Sequence, residues 1–411
     1  MSKDSKTSYP REKVKILLLE GIHPSAVDAF TSQGYKPELL AHALSPSELS
    51  EVIQDVHMLG IRSKTQITKE VLEQAENLLG IGCFCIGTNQ VELAVAAQCG
   101  VPVFNAPFSN TRSVAELVIA EVIMLARKAS WRSFNMREGK WNKSARGSHE
   151  VRGKTLGIVG YGHIGPQVGL LGEALGMKVI YFDIQKKLPL GNAQATSSLQ
   201  EILKVADFVT LHVPETPQTK MMIGEAEFSL MKKGSYFLNL SRGSVVDVDA
   251  LAENLKSEHI AGAAIDVFPE EPKSNDEPFR SALLGMENVI LTPHVGGSTE
   301  EAQLSIGEEV SHSLLKFLEQ GDTNGAVNFP QIDLPLIKDY HRVLNIHKNV
   351  PGVLSSINGI IADTGANITG QSLGTTSDIG YLIMDIESGL SSELKLQLDS
   401  IGANIRTRLL Y

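Results

Sequence analysis

Three cysteines in 411 residues are too few for a disulfide framework. Cys83 and Cys85 form a C-x-C inside the apolar run IGCFCIG, where strand alternation puts both on one face. They lack the second pair that a zinc site needs, so no metal is expected and small buried hydrophobes in a reducing compartment is the reading they support. Positive charge is also scarce: 37 Lys and Arg stand against 47 Asp and Glu, for a formal net charge of −10. A nucleic-acid or anionic-membrane binder would carry a basic footprint instead. No apolar run reaches the ~18–20 residues of a membrane span. The polar opening MSKDSKTSYPREKVK has no apolar core of a secretory signal. A soluble cytoplasmic protein is expected, with any anionic ligand held by a local positive cluster.

With 42% hydrophobic and 20% charged residues the chain can bury real cores. Its length suits two or three domains at ~150 residues each. After a loose arm of about a dozen residues, VKILLLE, VHMLGIRS, ENLLGIGCFC and VPVFNAP read as strands alternating with helical HPSAVDAFTSQG, SPSELSEVI and VELAVAAQ. That alternation predicts a parallel α/β sheet ending near Asn110. A long apolar helix over 113–127 follows, and Ser113 and Glu116 have the spacing of a capping box. The next segment, to Gly147, is basic, with Glu138 its single acid. It is either a solvated surface or a face for an anion or an acidic neighbour. Trp141 within it is either an interface anchor or core. From Lys154 six further strands, KTLGIVG, KVIYFD, DFVTLHV, SYFLNLS, IAGAAID and NVILTP, make a doubly wound sheet. The last 70 or so residues read βαββαβ, a ferredoxin-like sandwich. There Pro351 is expected at a helix N1 position. Val353, Leu354, Ile357, Ile360 and Ile361 form the apolar stripe of that helix.

The stretch LGIVGYGHIG holds Gly160, Gly162 and Gly165 between an apolar strand and a helix, the context that gives a G-x-G-x-x-G its meaning. Gly160 permits the tight turn, Gly162 lets backbone approach a pyrophosphate, and Gly165 allows close helix packing. The helix N-terminus at His163 and Ile164 offers N–H groups and a positive dipole end. Asp183 ends the next strand, where a carboxylate accepts ribose hydroxyls and repels a 2′-phosphate. NAD is therefore expected over NADP.

Arg242 in LNLSRGSVVD, Asp266 and Glu271 in AAIDVFPEEP, and His294 in LTPHVGG each follow a strand end on this sheet. Removing hydride from a carbinol carbon requires a base for the hydroxyl proton. An imidazole with an ordinary pKa of about 6.5 suits that task. A carboxylate behind it fixes the tautomer, and an arginine grips a substrate carboxylate bidentately.

Together GYGHIG, SRGSVVD, DVFPEEP and TPHVGGST resemble the D-2-hydroxyacid dehydrogenase family. With GIRSKT, IGCFCIGTNQ, NAPFSNTRSVAELV, WNKSARGS and the terminal module, the chain resembles its 3-phosphoglycerate-oxidising bacterial branch, which carries a C-terminal ACT domain. The likeness covers almost everything after residue 13. It implies a Rossmann NAD domain (111–297) inserted in a discontinuous flavodoxin-like substrate domain (1–110 and 298–330), with the active site in the cleft between them and an ACT domain over 339–411. The Gly296–Gly297 pair is then either a hinge or an ordinary loop.

The resemblance implies Arg242 on the substrate carboxylate and carbonyl oxygen, His294 as acid/base, and Glu271, rather than Glu270, as its partner. His163, Ile164, Asp183, Leu240, Ser241, Arg242, Asp266, His294, Val295, Gly296 and Gly297 fall where NAD is contacted. Arg62, Ser63, Lys64, Asn110 and Lys143 fall on the substrate side. His347, Asn349 and Asn367 match positions that bind L-serine between subunits. The implied activity is NAD-dependent oxidation of 3-phosphoglycerate in serine synthesis, inhibited by serine, with 2-oxoglutarate reduction as a side reaction and a homotetramer as the assembly. Another D-2-hydroxy acid as substrate, or an NADH-sensing scaffold without turnover, are the alternatives.

Overall fold

The computed structural model describes residues 9–272, 276–335, 340–387 and 391–411. The loose arm expected at the start falls mostly outside these residues. Where the description begins, Arg11–Lys13 forms a 3-10 turn and Arg11 pairs with Glu319 at 3.1 Å. The chain divides into two compact units, Met1–Ser109 with Gln303–Tyr411, and Asn110–Ala302.

In the first unit β1 (Ile16–Leu18), β2 (Pro37–Leu39), β3 (Met58–Ile61), β4 (Gly80–Cys83) and β5 (Val103–Asn105) form a parallel sheet in the order β2-β1-β3-β4-β5. This is the flavodoxin-like order. Every residue of β3 and β4 is buried, as helices on both faces of a parallel sheet require. A short helix, Lys69–Gln74, lies between them in chain order and was not legible as a pattern. Cys83 ends β4 and is buried, but Cys85 lies beyond the strand, its thiol set against the Gly87 carbonyl at 3.2 Å. The two thiols therefore do not share a strand face. Among the described residues no cluster of His, Cys, Asp and Glu fits a metal ion. No helix among them is long and apolar enough to cross a membrane.

The same unit holds the terminal sandwich. Its strands β13 (Tyr340–Lys348), β14 (Ile368–Thr375), β15 (Ile379–Glu387) and β16 (Asn404–Leu410) pair antiparallel in the order β14-β15-β13-β16. Alternation along β13 and β15 serves two cores. Leu344, Ile346, Tyr381 and Ile383 pack with Phe317, Phe329 and Ile332. Val343, Leu382, Met384 and Ile386 pack under the helix Val353–Thr364, whose Val353, Ile357 and Ile361 are buried. That helix begins two residues later than the proline signal predicts. Gly352, at φ 89°, is its N-cap, so Pro351 precedes the helix.

In the second unit β6 (Thr155–Val159), β7 (Lys178–Phe182), β8 (Gln194–Ala195), β9 (Phe208–Leu211), β10 (Ser235–Asn239), β11 (Ile260–Ile265) and β12 (Val289–Leu291) form a parallel sheet ordered β12-β11-β10-β9-β6-β7-β8. The exposed two-residue β8 joins the six strands the sequence announces. After β8 the chain crosses from one side of β6 to the other, which opens a crevice at the carboxyl ends of β6 and β9. The long helix spans Thr111–Arg127 with Asn110 at its N-cap, so Ser113 lies inside it and makes no capping box. Its hydroxyl instead meets Thr299 Oγ1 at 2.8 Å, and Glu116 accepts from Arg112 Nε at 2.7 Å. This helix packs on β10, β11 and β12 and on the helix Ile164–Ala174, all within the second unit.

Candidate active site

The glycine turn after β6 is a steric necessity. Gly160 has φ 92°, and a Cβ there would lie 2.3 Å from the His212 carbonyl oxygen. A Cβ on Gly165 would lie 2.4 Å from the Gly160 oxygen, so helix and strand meet with no room for a side chain. Around Gly162, by contrast, a Cβ would meet nothing within 4 Å, leaving open space on the ligand side of the turn. The helix that follows starts at Ile164, and its first-turn amides have no partner within the helix. Pro166, in that first turn, removes only an N–H that would be orphaned there.

Asp183, just past β7, is tied to this turn. Its Oδ2 accepts the Tyr161 N–H and its Oδ1 the Gln185 N–H, both at 2.8 Å. These residues fit NAD: a crowded turn, first-turn helix amides for the pyrophosphate, and a fixed carboxylate for the adenosine ribose. His212 closes the crevice floor after β9. Burial holds it down at about 3, so it is neutral, with Nε2 3.1 Å from Thr210 Oγ1 and Nδ1 buried without a partner among the described residues. Sequence reasoning passed over it, although its place at a strand end in DFVTLHV was a signal.

Asp266 organises the chemical end of the site. Its buried carboxylate accepts from Thr292 Oγ1 at 2.6 Å and from the Val295 and Gly296 N–H groups, each at 2.8 Å. Its carbonyl accepts the His294 N–H at 2.8 Å. One residue therefore pins the loop that carries His294, which itself sits at φ 54°. A Cβ on Gly296 would come within 2.9 Å of Asp266 Oδ2, and one on Gly297 within 2.1 Å of Asn110 Nδ2. In this loop the glycines make room for Asp266 and Asn110.

His294 Nδ1 lies 2.8 Å from Glu271 Oε2, and Glu271 Oε1 accepts the Phe268 N–H at 3.1 Å. The hydrogen bond to Glu271 chiefly raises the imidazole pKa above its ordinary value, against burial and the Arg242 charge. Burial works to raise the Glu271 carboxyl, but the His294 hydrogen bond, the Phe268 N–H and the charges of His294 and Arg242 outweigh it and hold it low. An ionised carboxylate fixes the proton on Nδ1, which leaves Nε2 to exchange a proton with a ligand.

Arg242 follows β10. Its Nη1 donates to the Ser241 carbonyl at 2.7 Å, and the Asn239 side chain takes the Ser241 N–H and hydroxyl while donating to the Arg242 carbonyl at 3.0 Å. Next to it Gly243 lets the Phe268 backbone pass where a Cβ would stand 2.0 Å away. Leu240 and Ser241 are buried behind it. The second unit thus brings together Arg242, Asp266, Glu271, His294, Val295, Gly296, Gly297 and Asn110. Lys143 is exposed on the loop after the helix Ala129–Arg137.

In the first unit, Arg62, Ser63 and Lys64 follow β3 with partly or fully exposed side chains. The three expected effector residues are not gathered. His347, at the end of β13, is buried with Nδ1 2.9 Å from Asn345 Oδ1, and Asn349 Nδ2 donates to the Thr376 carbonyl at 2.8 Å. Asn367 precedes Ile368, which pairs with Ile386, and Ile386 pairs with His341. His347 pairs with Gly380, so Asn367 stands at the opposite end of the sheet.

Residues 119–296 match the model for the NAD-binding domain of D-isomer specific 2-hydroxyacid dehydrogenases, and residues 344–403 an AHAS small subunit-like ACT domain. A D-3-phosphoglycerate dehydrogenase of Escherichia coli K12 is 52% identical over 410 residues, covering 99% of this chain and 100% of that one. One from Dictyostelium discoideum is 51% identical over 408 residues with the same coverage. Among solved structures, the TT0316 protein of Thermus thermophilus matches with a TM-score of 0.69 at 30% identity, over 76% of this chain and 100% of that one. The Aquifex aeolicus D-lactate dehydrogenase complexed with NAD and lactic acid matches with a TM-score of 0.66 at 26% identity, over 77% of this chain and 100% of that one. The chain belongs to the D-isomer specific 2-hydroxyacid dehydrogenase family, with full-length likeness to its D-3-phosphoglycerate dehydrogenases and an ACT domain in its C-terminal part.

Proposed function

We propose that this protein oxidises 3-phospho-D-glycerate to 3-phosphohydroxypyruvate with NAD, the first step of the phosphorylated route to L-serine. The observation that carries the reading is the 2.8 Å bond between His294 and Glu271, within the field of Arg242, at the strand ends of an NAD-binding sheet. Bound NAD supplies the hydride acceptor. The substrate loses a hydride from C2 and a proton from its hydroxyl, and His294 Nε2 takes that proton. Glu271 stabilises the resulting imidazolium and keeps the ring oriented. Arg242 binds the carboxylate and the developing carbonyl oxygen. Arg62, Ser63 and Lys64 hold the phosphate, with Asn110 and Lys143 as further substrate contacts.

The reverse reduction is the favoured direction of the isolated equilibrium, and 2-oxoglutarate is reduced at the same site. L-Serine inhibits through the ACT domain. His347 and Asn349 at one end of the sheet and Asn367 at the other serve one ligand when two copies bring opposite ends together, which fits a homotetramer. The protein acts in the cytoplasm, where its free thiols stay reduced. The test is NADH absorbance with 3-phosphoglycerate against D-glycerate, with and without L-serine. Undiminished turnover in Arg242→Ala or His294→Ala would remove the mechanism. Unchanged turnover in saturating serine would remove the effector reading.

A further inference from the structure

Glu20 lies just past β1, on a different strand from the Arg62–Lys64 loop, and its backbone is left-handed at φ 63°. An L-residue with a side chain is held there at a conformational cost, so something else retains it. Its carboxylate reaches across to the loop after β3. Oε1 accepts the N–H of Arg62 at 3.1 Å and that of Thr65 at 2.9 Å, and Oε2 accepts the N–H of Lys64 at 3.0 Å. Of the four amides from Arg62 to Thr65, it leaves only that of Ser63. From the other side the buried Gln90 donates Nε2 to the Arg62 carbonyl at 2.6 Å. Thr65 is fully buried, whereas Ser63 and Lys64 are exposed. The loop backbone is thus clamped while the side chains of Ser63 and Lys64 are exposed and that of Arg62 is half-buried.

We propose that Glu20 is a positioning residue for recognition of the substrate's anionic end: by gathering three amides of the Arg62–Thr65 turn, it fixes where Arg62, Ser63 and Lys64 present their donors. This rests on the reading that these three residues hold the phosphate. The carboxylate touches no reacting atom, so it acts on binding and not on hydride transfer. An acidic side chain beside an anion site would ordinarily weaken it. Here the charge is engaged by three amides of the turn, and the side-chain donors of Ser63 and Lys64 stay exposed.

The test compares Glu20→Gly, Glu20→Gln and Arg62→Ala in the full-length protein. Glycine suits the left-handed backbone, so Glu20→Gly removes the carboxylate without straining the chain. Its KM for 3-phosphoglycerate should rise about tenfold while kcat and the KM for NAD stay within about twofold. Glu20→Gln retains one acceptor oxygen for Arg62 and Thr65 but sets an NH2 against the Lys64 amide, so its KM should fall between wild type and Glu20→Gly. If Arg62→Ala raises that KM and Glu20→Gly leaves it unchanged, the positioning role is overturned while the phosphate reading survives. A fall in kcat and melting temperature with no selective rise in KM also overturns it, as a merely structural role. If Arg62→Ala leaves the KM unchanged, the phosphate reading fails and takes this inference with it.

Discussion

His294 offers Nδ1 to Glu271 at 2.8 Å while its backbone N–H is held by the Asp266 carbonyl at the same distance, so ring and loop are oriented by two different carboxylate residues. The hydrogen bond to Glu271 is the main reason the imidazole titrates above its ordinary range. Oxidation needs the neutral ring and reduction the protonated one. Oxidative kcat/KM should therefore rise with pH through a midpoint above the ordinary imidazole value of about 6.5, and reductive kcat/KM should fall over the same span. Glu271→Gln removes the largest upward influence. Its oxidative midpoint should move to lower pH, with a loss in kcat of roughly tenfold or more. A profile unchanged by that substitution would show that His294 is not the titrating group.

Asp183 binds the Tyr161 and Gln185 amides with both oxygens, so its charge has a fixed place beside the glycine turn. A carboxylate so placed repels a 2′-phosphate. Asp183→Ser should weaken NAD by roughly tenfold through the lost ribose contact and narrow the preference over NADP by about a hundredfold, since repulsion is removed as well. Steady-state kinetics with both coenzymes measures the ratio. A ratio that does not move would place the discrimination elsewhere.

The nucleotide turn was legible because each glycine answers a local steric demand that sequence order alone poses. Arg242, Asp266, Glu271 and His294 were legible as strand-end residues, since a parallel sheet gathers its carboxyl ends on one edge. What sequence order did not carry was the second layer. Asp266 reads as a coenzyme contact, but the sequence does not show that its carboxylate also accepts from Thr292, Val295 and Gly296 and so organises the histidine loop. The S-x-x-E spacing at Ser113 misled because Asn110 starts the helix earlier, and nothing local ranks one polar residue over another as a cap. The separation of Asn367 from His347 follows from strand register, which sequence proximity does not show.

Arg342 and Asp385 form a buried bidentate pair, Nε to Oδ1 and Nη2 to Oδ2, both at 2.7 Å. The guanidinium also donates to the carbonyls of Gln320, Leu334 and Pro335. It ties the terminal sheet to the segment that precedes it. Asp385→Ala leaves a cation stranded in the interior and should cost about 3–5 kcal/mol, read by denaturant unfolding. Replacing both residues together by apolar ones of similar volume should cost much less, because no charge is then stranded. Equal losses in the single and double variants would mean that the backbone contacts, not the ion pair, carry the stability.

Glu121 sits in the apolar face of the helix Thr111–Arg127, buried, with neither carboxyl oxygen bonded among the described residues. An acid inside VIAEVIMLA was visible in the sequence, but its state depends on what packs over it. Burial first, and the Asp266 charge second, push it up to about 8. A folded value above the unfolded one means that folding takes up a proton over the interval between them. The stability this group contributes is complete below the unfolded value near 4.5 and is lost as pH rises toward 8. Between pH 5 and pH 7 the protein should lose roughly 2 kcal/mol on this account. Glu121→Gln, which keeps the shape and cannot ionise, should flatten that slope, so that the variant gains on wild type as pH rises. Denaturant unfolding at several pH values measures the difference, and parallel slopes for the two proteins would show that Glu121 stays neutral throughout or is charged in both states.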